Sequence, residues 1–419
     1  MRVVVIGSGL MGVASAYFLA REGCEVMVID RESAPALGTS HANAGMLTPS
    51  MADPWNSPGV FWHLLKWLGR EDAPFLLRPS AIPAMTKWGL SFIANSRPDR
   101  FRANMEKNLR LASYSLDVLR GLRGSVKGLD YDARSNGTLT IFRDQPGFDE
   151  AIARFRTLET MGLRVNVLSS KESATLEPAI ADIADKLVGG IHCPEDESGD
   201  ARMFTQALAR EARALGVTFA FDTTVKDFEV NGDRVVAAIT QDGKQFADQF
   251  VVAAGTWSPE IVRKIGARLP VRPVKGYSIT VPTGAWPNRP GLPIIDAALH
   301  AAITPFKDRL RVAGTAEFAG FDRSPSPGRI NNLFDLLLSV YPSYAPYLDR
   351  SNAQPWAGLR PVSADGVPRI GRLKFRNLFV NSGHGHLGWT FATGSGRLLA
   401  DLMLGKPTDI EAAPYDAQR

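Results

Sequence analysis

Residues 2–30 read Arg2-Val-Val-Val-Ile-Gly7-Ser-Gly9-Leu-Met-Gly12-Val-Ala-Ser-Ala-Tyr-Phe-Leu-Ala-Arg-Glu-Gly-Cys24-Glu-Val-Met-Val-Ile-Asp30. An apolar run, Val3 to Ile6, opens onto Gly7, Gly9 and Gly12 in G-x-G-x-x-G spacing. An apolar helical stretch follows, and a second run, Val26 to Ile29, closes on Asp30. Strand, glycine turn, helix, strand and acid are the complete context of a dinucleotide fingerprint. Gly7 permits the tight turn. Gly9 lets a pyrophosphate approach the backbone, and Gly12 lets the helix pack close to the strand. The free N–H groups and positive dipole end of that helix face the phosphates. Asp30, about 20 residues on, is placed to accept bonds from ribose hydroxyls. An ordinary strand–turn–helix with chance glycines would not carry both flanks.

The chain of 419 residues has room for two or three domains, or for one large α/β body with an inserted second domain. No run approaches the roughly 18 apolar residues of a membrane span. Val3 to Ile6 is too short for the core of a secretion signal, so a reducing, cytoplasmic compartment is expected. The cysteines, Cys24 and Cys193, have no metal or redox spacing, and no metal site is expected. A net charge of +5 with a pI near 9.2 is mild. It excludes a basic nucleic-acid stripe and leaves an anionic substrate or an anionic membrane surface compatible.

After Asp30, residues 39–46 (Thr-Ser-His-Ala-Asn-Ala-Gly-Met) form a small, polar loop suited to close approach to a cofactor. Residues 54–110 carry Trp55, Trp62, Trp67 and Trp88 among scattered basics, including Lys66, Arg70, Lys87, Arg97 and Arg100. Prolines there predict several short helices. Two readings stand: a helical subdomain over the active site, or an aromatic, basic surface for peripheral contact with the inner face of a membrane. A long amphipathic helix is expected over 104–123, a helix over 201–215 capped by Asp200, and a hairpin around Asn231-Gly232-Asp233. A strand ending at Ala254-Gly255 is a second nucleotide-side element, and runs within 269–315 alternate as a mixed or antiparallel sheet would. Near the end, a strand enters Gly383-His-Gly-His-Leu-Gly-Trp389-Thr390 and a last helix.

Six motifs in order carry a family resemblance: residues 3–9, Ala42-Asn-Ala-Gly45, Asp196-Glu-Ser-Gly-Asp200, Lys275-Gly-Tyr-Ser278, Trp356 to Pro361 with Asp365-Gly366, and Gly383 to Trp389. On these the chain resembles the FAD-dependent amine oxidoreductases of the D-amino acid oxidase and glycine oxidase superfamily. It is most similar to the group of bacterial D-amino acid dehydrogenase catalytic subunits. The resemblance implies an α/β fold: a doubly wound, Rossmann-like FAD-binding domain built from discontinuous segments, residues 1–55, 196–262 and 352–419. An α+β substrate domain with a large mixed sheet, residues 56–195 and 263–351, is inserted between them. FAD, held non-covalently, is expected to contact Gly7, Gly9, Leu10, Met11, Gly12, Asp30, Arg31, Ser40, Asn43, Ala44, Gly45, Met46, Val225, Ala254, Gly255, Trp257, Gly385, Leu387, Gly388, Trp389 and Thr390.

In that family the Arg of Gly-Leu-Arg-Pro holds the substrate carboxylate, which here is Arg360. A planar guanidinium suits that task; a structural salt bridge is the other reading. Tyr277 either adds a hydroxyl to the same carboxylate or is a core tyrosine. His386 is placed to line the pocket near the flavin, and His384 is either a second residue there or a backbone-bonding structural histidine of the turn. Backbone N–H groups at 387–389 would face the pyrimidine end of the flavin. Met46 would line the substrate pocket, but Met46-Leu47-Thr48 departs from the family pattern, where a glutamine comes first.

The expected reaction is hydride transfer from Cα of an amino acid, most similar to a D-amino acid, to flavin N5. The products are a 2-oxo acid and ammonia, with electrons passed to a quinone or another acceptor. Such chemistry requires orientation more than acid–base groups, so the lack of a triad is consistent with it. The rivals are an enzyme of small or secondary amines (glycine, sarcosine, proline, 4-hydroxyproline) and a non-catalytic FAD-binding redox sensor or scaffold.

Overall fold

The computed structural model describes residues 1–62 and 75–419. Its first sheet has six strands in the order Arg369–Arg372, Leu378–Ser382, Gln249–Val252, Arg2–Ile6, Glu25–Ile29, Thr218–Ala220. All neighbours are parallel except the edge strand Arg369–Arg372. Three distant stretches of chain thus interleave in one sheet. Arg2–Ile6 lies central because it is apolar on both faces: Val3 and Val5 enter one core cluster, Val4 and Ile6 another. The helices Leu10–Arg21, Ala201–Ala214 and Gly388–Leu404 share the first cluster. A three-stranded antiparallel sheet, Val225–Asn231, Arg234–Thr240 and Gly243–Phe246, covers the other face through Phe228, Val235 and Ala238.

The second sheet has nine strands. Its path runs Gln354–Ser363, Val271–Pro282, Arg309–Phe318, Ala301–Pro305, Ile294–Asp296, Thr138–Phe142, Gly189–Cys193, Asn166–Ser169, with Phe75–Leu77 also pairing Arg309–Phe318. One face buries Tyr277, Ile279, Val281, Leu310 and Val312 against the helix Pro327–Val340. The other face meets the dinucleotide body.

Two segments sit in places that the linear division does not convey. Gln354–Ser363, grouped with the first body by position, pairs along its length with Val271–Pro282 in the second sheet. The helix Pro98–Ser125, inside the span assigned to the second body, inserts Leu111, Leu116, Leu119 and Leu122 into the dinucleotide core. Its 28 residues begin at Pro98, which occupies the first turn, rather than near residue 104. An amphipathic pattern states that a face is buried, not what buries it. Within 54–110 the described residues include the short 3-10 turn Pro79–Ala81, the helix Ile82–Ala94 and the start of Pro98–Ser125; Lys66, Trp67 and Arg70 lie outside the described residues. Trp88 is buried and donates its indole N–H to the Val362 carbonyl at 3.1 Å, whereas Trp62 is 71% exposed.

Candidate active site

An elongated cavity runs along the carboxyl edge of the parallel strands, where doubly wound sheets take their ligands. Past the end of Glu25–Ile29 it is lined by Asp30, Arg31 and Glu32, with Val225, Trp257, Lys264 and Arg323 around them. It continues over Gly7, Gly9, Leu10, Met11 and Ser40 and past Ala254 and Gly255, and takes in Asn43, Trp356, Arg360, His384, Gly385, His386, Gly388 and Trp389. Its lining, from Asp30 past the glycine turn to Gly388, suits an extended dinucleotide. The glycine turn is built for close approach: a Cβ at Gly12 would lie 1.8 Å from the Gly7 carbonyl oxygen. Gly9 caps Leu10–Arg21 without a side-chain bond, and no acid sits in the first turn of that helix. The later helix Gly388–Leu404 likewise starts with no capping side chain and no first-turn acid. Two helix N-termini therefore present dipole and backbone donors to an electron-rich group. The residues present fit FAD.

Asp30 first braces the turn. Its Oδ2 accepts from the Ser8 N–H at 2.5 Å and the Ser8 hydroxyl at 2.7 Å, and its Oδ1 accepts from the Glu32 N–H at 2.9 Å. The neighbouring acid, Glu32, also lines the cavity and stands 3.5 Å from Arg323. Sequence reasoning passed over Glu32; a second acid two residues after Asp30 was its signal.

Of the other residues expected at the cofactor, Gly12 lies beneath the turn, and Leu387 is buried in the core. The Thr390 hydroxyl accepts from the Thr48 N–H at 3.0 Å, and Met46 pairs with Ser198 in a two-stranded bridge. Gly45 receives the Gly199 N–H on its carbonyl. None of these, nor Ala44, lines the cavity. Gly45, Met46 and Thr390 instead hold the chain around residues 45–48 in place.

That loop is clipped to the second sheet. Thr39 donates to the Leu359 carbonyl at 2.6 Å, Ser278 to Ala42 at 2.7 Å, Arg311 to Asn43 at 2.9 Å and Thr304 to Ala44 at 2.6 Å. Ser278 stood in a quoted motif with no role assigned to it, and Thr304 and Arg311 were not singled out in the sequence. Their signal is parity: in the pairing register Ser278 opposes Trp356, and Thr280 and Thr304 both oppose Arg311, so their side chains share the face turned to the first body.

Arg360 lies on the same face, opposite Val274. Its guanidinium covers Gly276: a Cβ there would fall 1.9 Å from Nη1. It donates to the Thr315 carbonyl at 3.3 Å and stands 5.3 Å from the Trp55 ring centre. No carboxylate pairs with it among the described residues. Burial lowers its pKa to about 10, so it stays cationic at neutral pH. The His386 ring stacks on Trp55 at 5.1 Å and 9°. Burial, and then the charge of Arg360, lower its pKa to about 4, so the imidazole is neutral. The result is a recessed, unmatched positive charge among aromatic rings, which fits a carboxylate carried on an apolar body.

Tyr277 takes no part in this group. It opposes Ala357 on the other face, is buried among the residues packed on Pro327–Val340, and donates its hydroxyl to Glu317. His384 lines the cavity but bonds the Ser395 hydroxyl through Nε2 at 3.0 Å, and burial lowers its pKa to about 3. Among the described residues no cluster of ligating side chains forms a metal site.

A doubly wound sheet with this cavity defines a flavin-type dinucleotide oxidoreductase. The FAD dependent oxidoreductase family model matches residues 2–402, and the chain belongs to that family. A D-amino acid dehydrogenase of Paramagnetospirillum magneticum is 44% identical over 411 residues, covering 98% of this chain and 96% of the relative. A D-amino acid dehydrogenase of Bradyrhizobium diazoefficiens is 42% identical over 419 residues, covering 100% and 99%. Among solved structures, glycine oxidase from Geobacillus kaustophilus superposes with a TM-score of 0.77 at 23% identity, covering 100% of this chain and 99% of that one. L-proline dehydrogenase from P. horikoshii gives 0.76 at 18%, covering 100% and 97%. These two likenesses establish the fold.

Proposed function

We propose that this chain, an FAD-dependent amino acid dehydrogenase, oxidises a D-amino acid at Cα to the imine, which water converts to a 2-oxo acid and ammonia. The observation that carries the proposal is Arg360, cationic, recessed and without a counter-ion among the described residues, in the lining of the cofactor cavity. Relatives above 40% identity over the full chain bear the name D-amino acid dehydrogenase. The glycine turn at Gly7 and Gly9 and the loop at Ser40 and Asn43 would hold FAD without a covalent tether, and FAD would supply the hydride acceptor. Arg360 binds the substrate carboxylate and so fixes Cα. Trp55 and His386 wall the pocket and exclude water, and neutral His386 offers the amine a hydrogen-bond acceptor. The start of Gly388–Leu404 aims its dipole at the charge that develops on reduction.

Electrons then pass to a quinone at a membrane surface. Supporting this, Trp62 and Leu90 are 71% and 67% exposed, with Phe61 and Ile82 also exposed and Lys87, Arg97 and Arg100 on neighbouring turns. No helix among the described residues is long and apolar enough to cross a membrane, so contact would be peripheral.

The test is anaerobic bleaching of the bound flavin. D-amino acids are expected to bleach it, and reoxidation is expected to be faster with a quinone analogue than with air. Bleaching by glycine, sarcosine or proline alone would move the chain to the small-amine group. No bleaching by any amine would leave a redox sensor.

A further inference from the structure

Behind the 39–46 loop, on the side away from the cofactor, lies a second cavity of about 560 Å³. Its walls include His41, Asp200, Arg202, Gln206, Arg311 and Trp356. Trp356 also borders the cofactor cavity, so its indole is the partition between the two. The ring lies across Gly358, whose Cβ would meet it at 1.9 Å, and stacks against His41 at 6.2 Å and 23°. Arg202 and Arg311 line the second cavity and do not line the cofactor cavity, and Arg360 lines the cofactor cavity and not the second.

The chemistry of its lining is that of an oxyanion site. Arg309, at the rim, is neutralised: Asp132, Asp200 and Asp308 stand 3.0, 3.0 and 3.1 Å from its guanidinium. Asp200 is further engaged as a helix cap by the N–H groups of Arg202 and Met203. Arg311 is buried on the floor. Its Nε donates to Thr280 at 2.6 Å and its Nη1 to the Asn43 carbonyl, while Nη2 is 3.6 Å from the already committed Asp200. Arg202 has no ion pair among the described residues, and its buried Nε has no acceptor. A buried guanidinium N–H without an acceptor is costly, and an oxyanion supplies the acceptor. Burial, then the charges of Arg202 and Arg311, hold His41 neutral and below its ordinary pKa, so the positive potential reaches across the cavity.

We propose that this second cavity binds a small oxyanion, a carboxylate or a phosphate, on Arg202 and Arg311, independently of the Arg360 site. The proposal does not rest on the catalytic reading. Isothermal titration of the FAD-loaded protein with malonate and with inorganic phosphate, at constant ionic strength set by chloride, tests it. Saturable binding is expected, with one site per chain left when the Arg360 site is removed. It should survive Arg360→Ala and weaken at least tenfold in Arg202→Gln. Gln354→Glu, at the exposed rim, puts a carboxylate into the same space and is expected to weaken binding likewise; it decides the matter if Arg202→Gln fails to hold FAD. Tighter malonate or tighter phosphate each supports the site and names the class of anion. No saturable binding, or binding lost in Arg360→Ala and kept in both other variants, overturns it.

Discussion

At Arg360 the governing quantity is the cost of keeping a guanidinium below the surface with no counter-ion among the described residues. Burial lowers its pKa only to about 10, so the charge persists, and on the proposed reading an incoming carboxylate would be its partner. A charge-assisted contact contributes about 1.5–3 kcal/mol. Arg360→Ala is therefore expected to lower kcat/KM by about 10- to 100-fold, mainly through KM, with FAD retained; unchanged KM would refute the assignment. Gly276→Ala checks the geometry separately. The new Cβ would fall 1.9 Å from Nη1, so the guanidinium must leave its seat. KM is expected to rise in this variant although no substrate-binding group is removed, and an unperturbed KM would show that the seat is not the productive one. Arg360 was legible in the sequence because Gly-Leu-Arg-Pro is a compact motif. The exclusion of Tyr277 was not, since the face a strand residue takes depends on pairing register.

The elements that close the cofactor cavity come from both bodies. Beyond the strand Arg309–Phe318, the segment 319–326 reaches back over the first body. Phe321 stacks on Trp257 at 4.4 Å and 29°, Arg31 stands 4.4 Å from the same indole, and Arg323 faces Glu32. Asp322 meanwhile holds buried Lys275 at 2.6 Å, tying this strap to the strand that seats Arg360. An aromatic pair contributes about 0.5–1.5 kcal/mol. Phe321→Ala is expected to speed FAD release by about 2- to 10-fold, read from the recovery of free-flavin fluorescence on dilution. Unchanged release would mean that the strap covers nothing. The glycine turn and its helix could be read in full from residues 2–30, because the motif is local. The strap could not, because nothing in residues 319–326 marks which surface they meet.

Across the whole molecule, Asp196 joins the two bodies. It accepts from the Ser50 hydroxyl at 2.5 Å and N–H at 3.2 Å, and from Thr138 of the second sheet at 2.7 Å. Burial outweighs these bonds and raises its carboxyl from 3.8 to about 6. The folded state thus binds this proton more tightly than the unfolded chain. Its contribution to stability is full below about pH 4 and is lost as pH rises through about 6, by at most about 3 kcal/mol. Asp196→Asn is expected to remove that part of the slope, seen as a smaller difference between denaturation midpoints at pH 5 and pH 8; an unchanged difference would refute it. The exposed apolar residues belong to this scale too. Replacing Trp62 and Leu90 together with serine is expected to reduce partition onto anionic vesicles several-fold and leave flavin bleaching intact. Equal partition would remove this surface as the docking face.

By itself the sequence determined the dinucleotide fingerprint and the alternation of strands and helices, and the resemblance carried by its motifs singled out Arg360. Each is written in neighbouring residues, where spacing and backbone geometry suffice. Tertiary structure alone decided that Gln354–Ser363 joins the second sheet, that Ser278, Thr304 and Arg311 clip the cofactor loop, and that Arg202 and Arg311 meet across a second cavity. Those contacts join residues far apart in the chain. Strand register and the packing of the two bodies fix them, and neither leaves a local signature.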